Sequence, residues 1–143
     1  MNLSDKDEHL IALLRENGRM SVSSLARKLN SSRTAAQMRM QKLERNGVIE
    51  GYTIRLSTAH TETRIRALVL LRFPPAKLKE IEQALAEIQR IQTVYSISGT
   101  YDLAVVVSAP SMEALDEVID QIGCLEGIED TMTSIILSTK VDR

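Results

Sequence analysis

The chain has 143 residues, 43% of them hydrophobic, no tryptophan, one cysteine and a net charge of -1. That length suits one medium domain or two small ones with a sizeable core. The single Cys124 excludes an internal disulfide, and no apolar run approaches the length that spans a bilayer, so no membrane partner is expected.

The net charge hides an asymmetry. Residues 1–56 carry ten Lys and Arg against six Asp and Glu, and residues 57–143 carry eight against thirteen. Between residues 19 and 45, seven basic residues stand against one acid, Glu44. Such a split implies a polyanionic partner for the first part alone, with a merely solvated basic face as the alternative.

Ser4 followed by Asp7 reads as a capping box, Leu10, Ile11, Leu13 and Leu14 supply a first helical stripe, and Asn17-Gly18 stops it. Ser21 caps a second helix bearing Val22, Leu25, Ala26 and Leu29. Ser32 caps a third bearing Ala36, Met40 and Leu43 on one side, ended by Asn46-Gly47. The third helix turns Arg33, Thr34, Gln37, Met38 and Gln41 outward, with Arg39 and Lys42 on its flanks. A polar, basic, nearly acid-free outer face on an apolar inner one suits the DNA major groove. Val48-Ile49 and residues 52–56 then read as a short hairpin or wing.

Residues 57–63 are small, polar and aperiodic, and mark a linker between a domain at 1–56 and another at 64–143. Beyond it the pattern predicts strands over 65–73, 93–98, 103–107 and 131–138. Helical stripes fall at Leu78, Ile81, Leu85 and Ile88, and at Met112, Leu115, Val118, Ile119 and Ile122. The order βαββαβ is the ferredoxin-like arrangement, so the fold class is α+β with an N-terminal winged helix-turn-helix domain. Two helices cover one face of a four-stranded sheet, yet Leu68 and Leu70 are apolar opposite Val69 and Leu71, and Val106 opposite Val105. Both faces therefore call for burial, which predicts a homodimer packed sheet to sheet, with the wing or linker folded over the second face as the alternative.

The residues Leu25-Ala26-Arg27-Lys28-Leu29, Ser32, Arg39, Leu43-Glu44, Gly47-Val48-Ile49 and Gly51-Tyr52-Thr53 resemble the leucine-responsive regulatory protein/AsnC (Lrp/AsnC) family of transcriptional regulators. So do Ser98-Gly99-Thr100-Tyr101-Asp102-Leu103, Leu125-Glu126-Gly127-Ile128 and Thr131-Met132-Thr133. The resemblance spans residues 3–140. It implies a C-terminal effector-sensing and oligomerising domain, dimers that assemble into tetramers or octamers, and an amino-acid effector. This sequence departs from the family in having Asn30 where Gly is frequent, Arg33 where Pro is frequent and Met38 where a basic residue is frequent. Operator sequences therefore do not transfer from relatives.

Double-stranded DNA is the expected partner. Arg33, Thr34 and Gln37 sit where a recognition helix meets base edges, since Arg pairs with guanine and Gln with adenine. Met38 and Gln41 continue that face. Arg39 and Lys42 suit phosphate contacts, and Ser21 and Ser32 combine capping with a hydroxyl or amide contact to phosphate. Under the resemblance, an effector site forms between subunits. Backbone amides near Ser98, Gly99 and Thr100 hold a carboxylate, Asp102 accepts from an α-ammonium, Tyr101 forms a wall, and Thr131, Thr133 and Ser134 add hydroxyls.

No cofactor is expected, and no metal: His9 and His60 lie about fifty residues apart without ligand neighbours. The scattered methionines read mostly as core filler, and Cys124 as a buried, inert thiol in a helical stripe. The N-terminus lacks a signal-peptide core, so a cytoplasmic location is expected. Two other functions fit the architecture. One is an enzyme resembling sirohaem decarboxylases, disfavoured because no His or Arg cluster in the second half suits tetrapyrrole carboxylates. The other is a DNA-wrapping protein with little sequence choice.

Overall fold

The structure is a computed structural model, and it describes residues 2–61 and 63–142. Glu62, within the expected linker, lies outside the described residues, as do the two terminal residues of the chain. The chain divides into two compact units, Met1–Arg55 and Leu56–Arg143.

The first unit holds three helices: α1 (Asp5–Glu16), α2 (Val22–Lys28) and α3 (Arg33–Arg45). The α1 cap is reciprocal. The Ser4 hydroxyl accepts from the Asp7 amide at 3.2 Å, and the Ser4 amide donates to the Asp7 carboxylate at 2.8 Å. Ser21 and Ser32 accept from the amides of Ser24 and Ala35, each at 3.1 Å, and so start α2 and α3. Between α2 and α3, Asn30 holds φ of 49°, a left-handed conformation that Asn tolerates better than most side chains. Leu10, Leu13, Leu25, Leu29 and Leu43 form the core of this unit, with Leu3, Met20, Met40 and Ile49 packed around it.

Among the described residues no strand forms over 48–56, where a hairpin or wing is expected. Val48 and Ile49 both donate their amides to the Leu43 carbonyl, at 2.9 and 3.1 Å, so they close the end of α3 instead of opening a strand. Residues 50–56 keep the alternation of a strand, with Tyr52, Ile54 and Leu56 apolar and exposed, but belong to no strand among the described residues. Part of the expected linker is also ordered differently. Residues Thr58–Thr61 form a short helix, α4.

The second unit contains β1 (Ile65–Arg72), α5 (Leu78–Ala86), β2 (Ile91–Ser96), β3 (Leu103–Ala109), α6 (Met112–Gly123) and β4 (Asp130–Ile136). The four strands form one antiparallel sheet in the order β2-β3-β1-β4, as the βαββαβ reading requires. The second strand starts earlier than its sequence pattern suggests, and a register irregularity lies between Ile91 and Thr93. Ala67, Val69, Leu71 and Phe73 turn toward α5 and α6 and are buried with Ile81, Leu85, Leu115, Val118 and Ile122.

The opposite face is open. One row of paired residues crosses all four strands as Tyr95, Ala104, Leu70 and Met132, and the next as Thr93, Val106, Leu68 and Ser134. Tyr95 is 53% exposed and Met132 46% exposed, while Leu68, Leu70 and Val106 are half-buried.

Two expectations about sulfur are corrected. Cys124 is exposed, because α6 ends at Gly123 and the thiol belongs to the C-cap, off the stripe of Leu115, Val118 and Ile122. Met38, Met112 and Met132 are exposed, and Met20 and Met40 only half-buried. Met20 and Met40 pack at the edge of the first core, and the second core contains no methionine among its buried residues. Among the described residues no helix is long and apolar enough to cross a membrane.

Candidate functional site

The third helix carries the first group of candidates. Its inner side is set by Ala36 and Leu43, both fully buried, with Met40 half-buried beside them. Helical geometry of 3.6 residues per turn then turns Thr34, Met38, Gln41 and Arg45 the other way. Arg33, Thr34, Gln37, Met38, Gln41 and Lys42 are all exposed, and so are Ser21 and Ser32 at the two helix starts. Ala35, Met38, Arg39, Gln41, Lys42 and Arg45 line a shallow groove of about 470 Å³ along the outer side of this helix.

Arg39 is placed differently from its neighbours. Its Nη1 donates to the Asp7 carboxylate at 2.7 Å and to the Ser4 hydroxyl at 2.9 Å. The Asp7 side chain is only 2% exposed. The pair ties α3 to α1, and the Arg39 side chain remains 28% exposed beside the outer face of the helix. The Ser4 backbone amide is the main cause that holds the Asp7 carboxyl down to about 2, helped by the Ser4 hydroxyl and by Arg39 against the opposing effect of burial. Asp7 and Arg39 are 32 residues apart, a pairing that no local sequence pattern signals.

Glu44, the one acid of this basic stretch, accepts a hydrogen bond from the Tyr52 hydroxyl at 2.8 Å. Desolvation, the Glu44 hydrogen bond and the Glu44 charge raise the Tyr52 phenol to about 12. Sequence reasoning missed this pair because it lies beyond the helix end. Residues 48–53 and the end of α1, including Ile11, Leu14 and Arg15, line a second groove of about 760 Å³.

In the second unit the loop between β2 and β3 carries the other candidates. Ser98, Gly99 and Thr100 are exposed, Tyr101 and Asp102 are half-buried, and Gly99 has φ of 113°. The loop is closed by the Ile97 amide donating to the Asp102 carbonyl at 3.0 Å. Asp102 is already occupied on two sides. Its amide donates to the Leu71 carbonyl at 2.8 Å, and its Oδ2 accepts from the Phe73 amide at 3.0 Å. It clamps the loop to the end of β1, which narrows its expected role as an acceptor for an ammonium group.

Tyr101 reaches Asp130 at the start of β4, with its hydroxyl 3.4 Å from Oδ2. Arg72, paired with Asp130 across the strands, has its Nη2 3.8 Å from the same oxygen. Arg72 and Asp130 join this end of the sheet unannounced by sequence, because only the register of β1 against β4 brings them together. That register also divides the three hydroxyl candidates. Thr131 and Thr133 pair with Leu71 and Val69 on the helix-covered side of the sheet, and Ser134 pairs with Leu68 on the open side. Within one subunit the three cannot converge, since successive strand residues point to opposite faces. Among the described residues no group of His, Cys, Asp and Glu is arranged to hold a metal ion.

Comparison with known proteins matches both units. Residues 66–143 fit the family model of the Lrp/AsnC ligand binding domain, and residues 3–44 that of the AsnC-type helix-turn-helix domain. The HTH-type transcriptional regulator LysM of Saccharolobus solfataricus is 31% identical over 139 residues, covering 96% of each chain. LysM of Sulfurisphaera tokodaii is 31% identical over 137 residues, covering 95% of this chain and 96% of its own.

Among solved structures, E. coli AsnC aligns with a TM-score of 0.89 at 22% identity, over 100% of this chain and 97% of its own. A transcriptional regulator of Neisseria meningitidis, solved as a complex with L-Met, aligns with a TM-score of 0.87 at 19% identity, over 99% and 94%. At these identities the structural likeness speaks for the fold. The sequence matches speak for more: with a helix-turn-helix domain, a ligand-binding domain and regulators aligned along nearly its whole length, the chain belongs to the Lrp/AsnC family of transcriptional regulators.

Proposed function

We propose that this regulator binds duplex DNA through the outer face of α3 as a homodimer, or as a tetramer or octamer built from such dimers, and responds to an amino-acid effector. The observation that carries the reading is the exposed row Thr34, Gln37, Met38, Gln41 and Lys42 on a helix whose only acid, Glu44, is engaged by Tyr52. Arg33, Thr34 and Gln37 read base edges, while Lys42, Ser21 and Ser32 set the helix on phosphates. Arg39 contributes mainly by holding α3 in place.

The open sheet face supports the dimer. Fully burying a large apolar side chain is worth about 1.5–3 kcal/mol, and Tyr95, Leu70, Met132 and Leu68 lie together there. A second copy offers the same surface and so matches it without any further element. Two α3 helices presented by one dimer would read half-sites about one DNA turn, or a multiple of it, apart.

For the effector, the loop at Ser98, Gly99, Thr100, Tyr101 and Asp102 and the hydroxyls of Thr131 and Thr133 offer amides and acceptors suited to a zwitterion. Ser134, on the open face, contributes only if the site is shared with the partner copy. The family relative that carries L-Met supports an amino acid as the ligand class. The reading makes the chain a regulator rather than an enzyme, working where the DNA is, in the cytoplasm.

Two measurements test it. Footprinting on the promoter next to the chain's own coding sequence at low salt is expected to show protection with a dyad, and no protection sinks the DNA reading. A thermal-shift screen against the twenty amino acids is expected to raise the melting temperature for at least one, because a ligand that binds only the folded form stabilises it.

A further inference from the structure

We propose that Met38 and Ala35 form an apolar reader for the 5-methyl group of thymine, so that this regulator selects A·T pairs at the centre of its half-site. The inference rests on the reading of α3 as the DNA-contacting helix and deepens it.

Met38 is 65% exposed, the most open of the exposed methionines. It lies about 200° around the helix from the fully buried Ala36, which puts it at the middle of the outward face. Ala35, also exposed, is one turn earlier on the same side. Together they give an apolar floor to the groove along α3, and Lys42 and Arg45 line the same groove with positive charge. An exposed thioether flanked by Lys42 and Arg45 joins an apolar spot to positive charge, a poor match for another basic protein face. It is complementary to a polyanion that offers an apolar group at the end of a groove.

The DNA major groove offers one such group. Its floor presents hydrogen-bond acceptors, amino groups and, on thymine alone, a methyl. The unbranched, polarisable methionine side chain fills irregular gaps and adapts to such a contact at little cost in strain. Gln41 stands three residues on, in the same groove, and its amide has the geometry to bond N6 and N7 of adenine. Met38 and Gln41 are therefore adjacent readers, one for the methyl edge and one for the adenine edge. A basic residue at position 38 would contact guanine or phosphate instead, so the methionine shifts base choice as well as removing a charge.

The test uses the full chain. A random duplex library is selected against the purified protein, and the bound sequences are then remade with deoxyuridine replacing one thymine at a time. Removing one methyl at the contacted position is expected to weaken binding about fourfold, the effect of exposing one buried methyl-sized group. Met38→Ala is expected to bind thymine and uracil duplexes equally while keeping the salt dependence of the parent, and Met38→Leu to keep the discrimination. Equal affinity of the parent for every uracil duplex overturns the inference while leaving the DNA reading intact. So does a Met38→Ala chain that still discriminates, or one whose only change is in its state of association. A parent that captures no duplex at low salt overturns the DNA reading and this inference with it.

Discussion

The carboxylate of Asp7 joins two helices at once: it takes the Ser4 amide of its own cap at 2.8 Å and the Arg39 guanidinium of α3 at 2.7 Å. One buried side chain thus fixes where α1 begins and how α3 lies against it. Replacing it by Asn keeps the shape and removes the charge. Asp7→Asn is expected to lower stability by about 1–3 kcal/mol, the cost of leaving buried hydrogen-bonding groups poorly matched.

The same residue sets a pH response. Its folded-state value of about 2 is below the ordinary carboxylate value of 3.8, so its contribution is complete above about pH 4 and lost as pH falls toward 2. Thermal melts from pH 5 to pH 2 should show the parent and Asp7→Asn converging at the acid end. A constant gap between them would rule out the carboxylate as the cause.

Tyr52 gives a response at the other end of the scale. The Tyr52 phenol, bonded to Glu44, is expected to ionise near pH 12. A folded-state value above the unfolded one means that this contribution is intact below pH 10 and lost as pH rises toward 12. Ultraviolet titration of Tyr52→Phe should lose one tyrosine's absorbance change near pH 12. Identical late steps in parent and variant would place the shift elsewhere.

Base reading and phosphate contact separate by mutation. Arg33→Ala is expected to reduce the preference for operator over random duplex by roughly 5- to 100-fold, the range of one lost bidentate base contact. Lys42→Ala should weaken both duplexes alike and lower the slope of log affinity against log salt by about 1. Competition binding at several salt concentrations distinguishes the two, and the reverse pattern would exchange their roles.

The open sheet face is tested by charge. Leu70 lies in the row between Ala104 and Met132, so Leu70→Asp places a carboxylate at the centre of the expected dimer surface. Sedimentation should show the variant at a lower mass than the parent, half of it if the parent is a dimer. Its operator affinity should fall about 100-fold, because two linked half-site contacts become one. A parent that itself sediments as a single chain would remove the basis for this expectation.

Local chemistry made much of this protein legible. The serine caps at Ser4, Ser21 and Ser32, the left-handed Asn30, and the apolar stripes of α3, α5 and α6 each arise from residues within a few positions of one another. The alternation that betrayed a sheet apolar on both faces is local in the same sense. What the tertiary structure decided depends on residues distant along the chain. One difference is local: Val48 and Ile49 had the composition of a strand, but their amides close the end of α3 on the Leu43 carbonyl. The bond from Arg39 to the buried Asp7 carboxylate joins residues 32 positions apart, a pairing that only folding brings into reach. Ser134 looked interchangeable with Thr133, yet a period of two sends them to opposite faces, and only pairing with β1 says which face is covered.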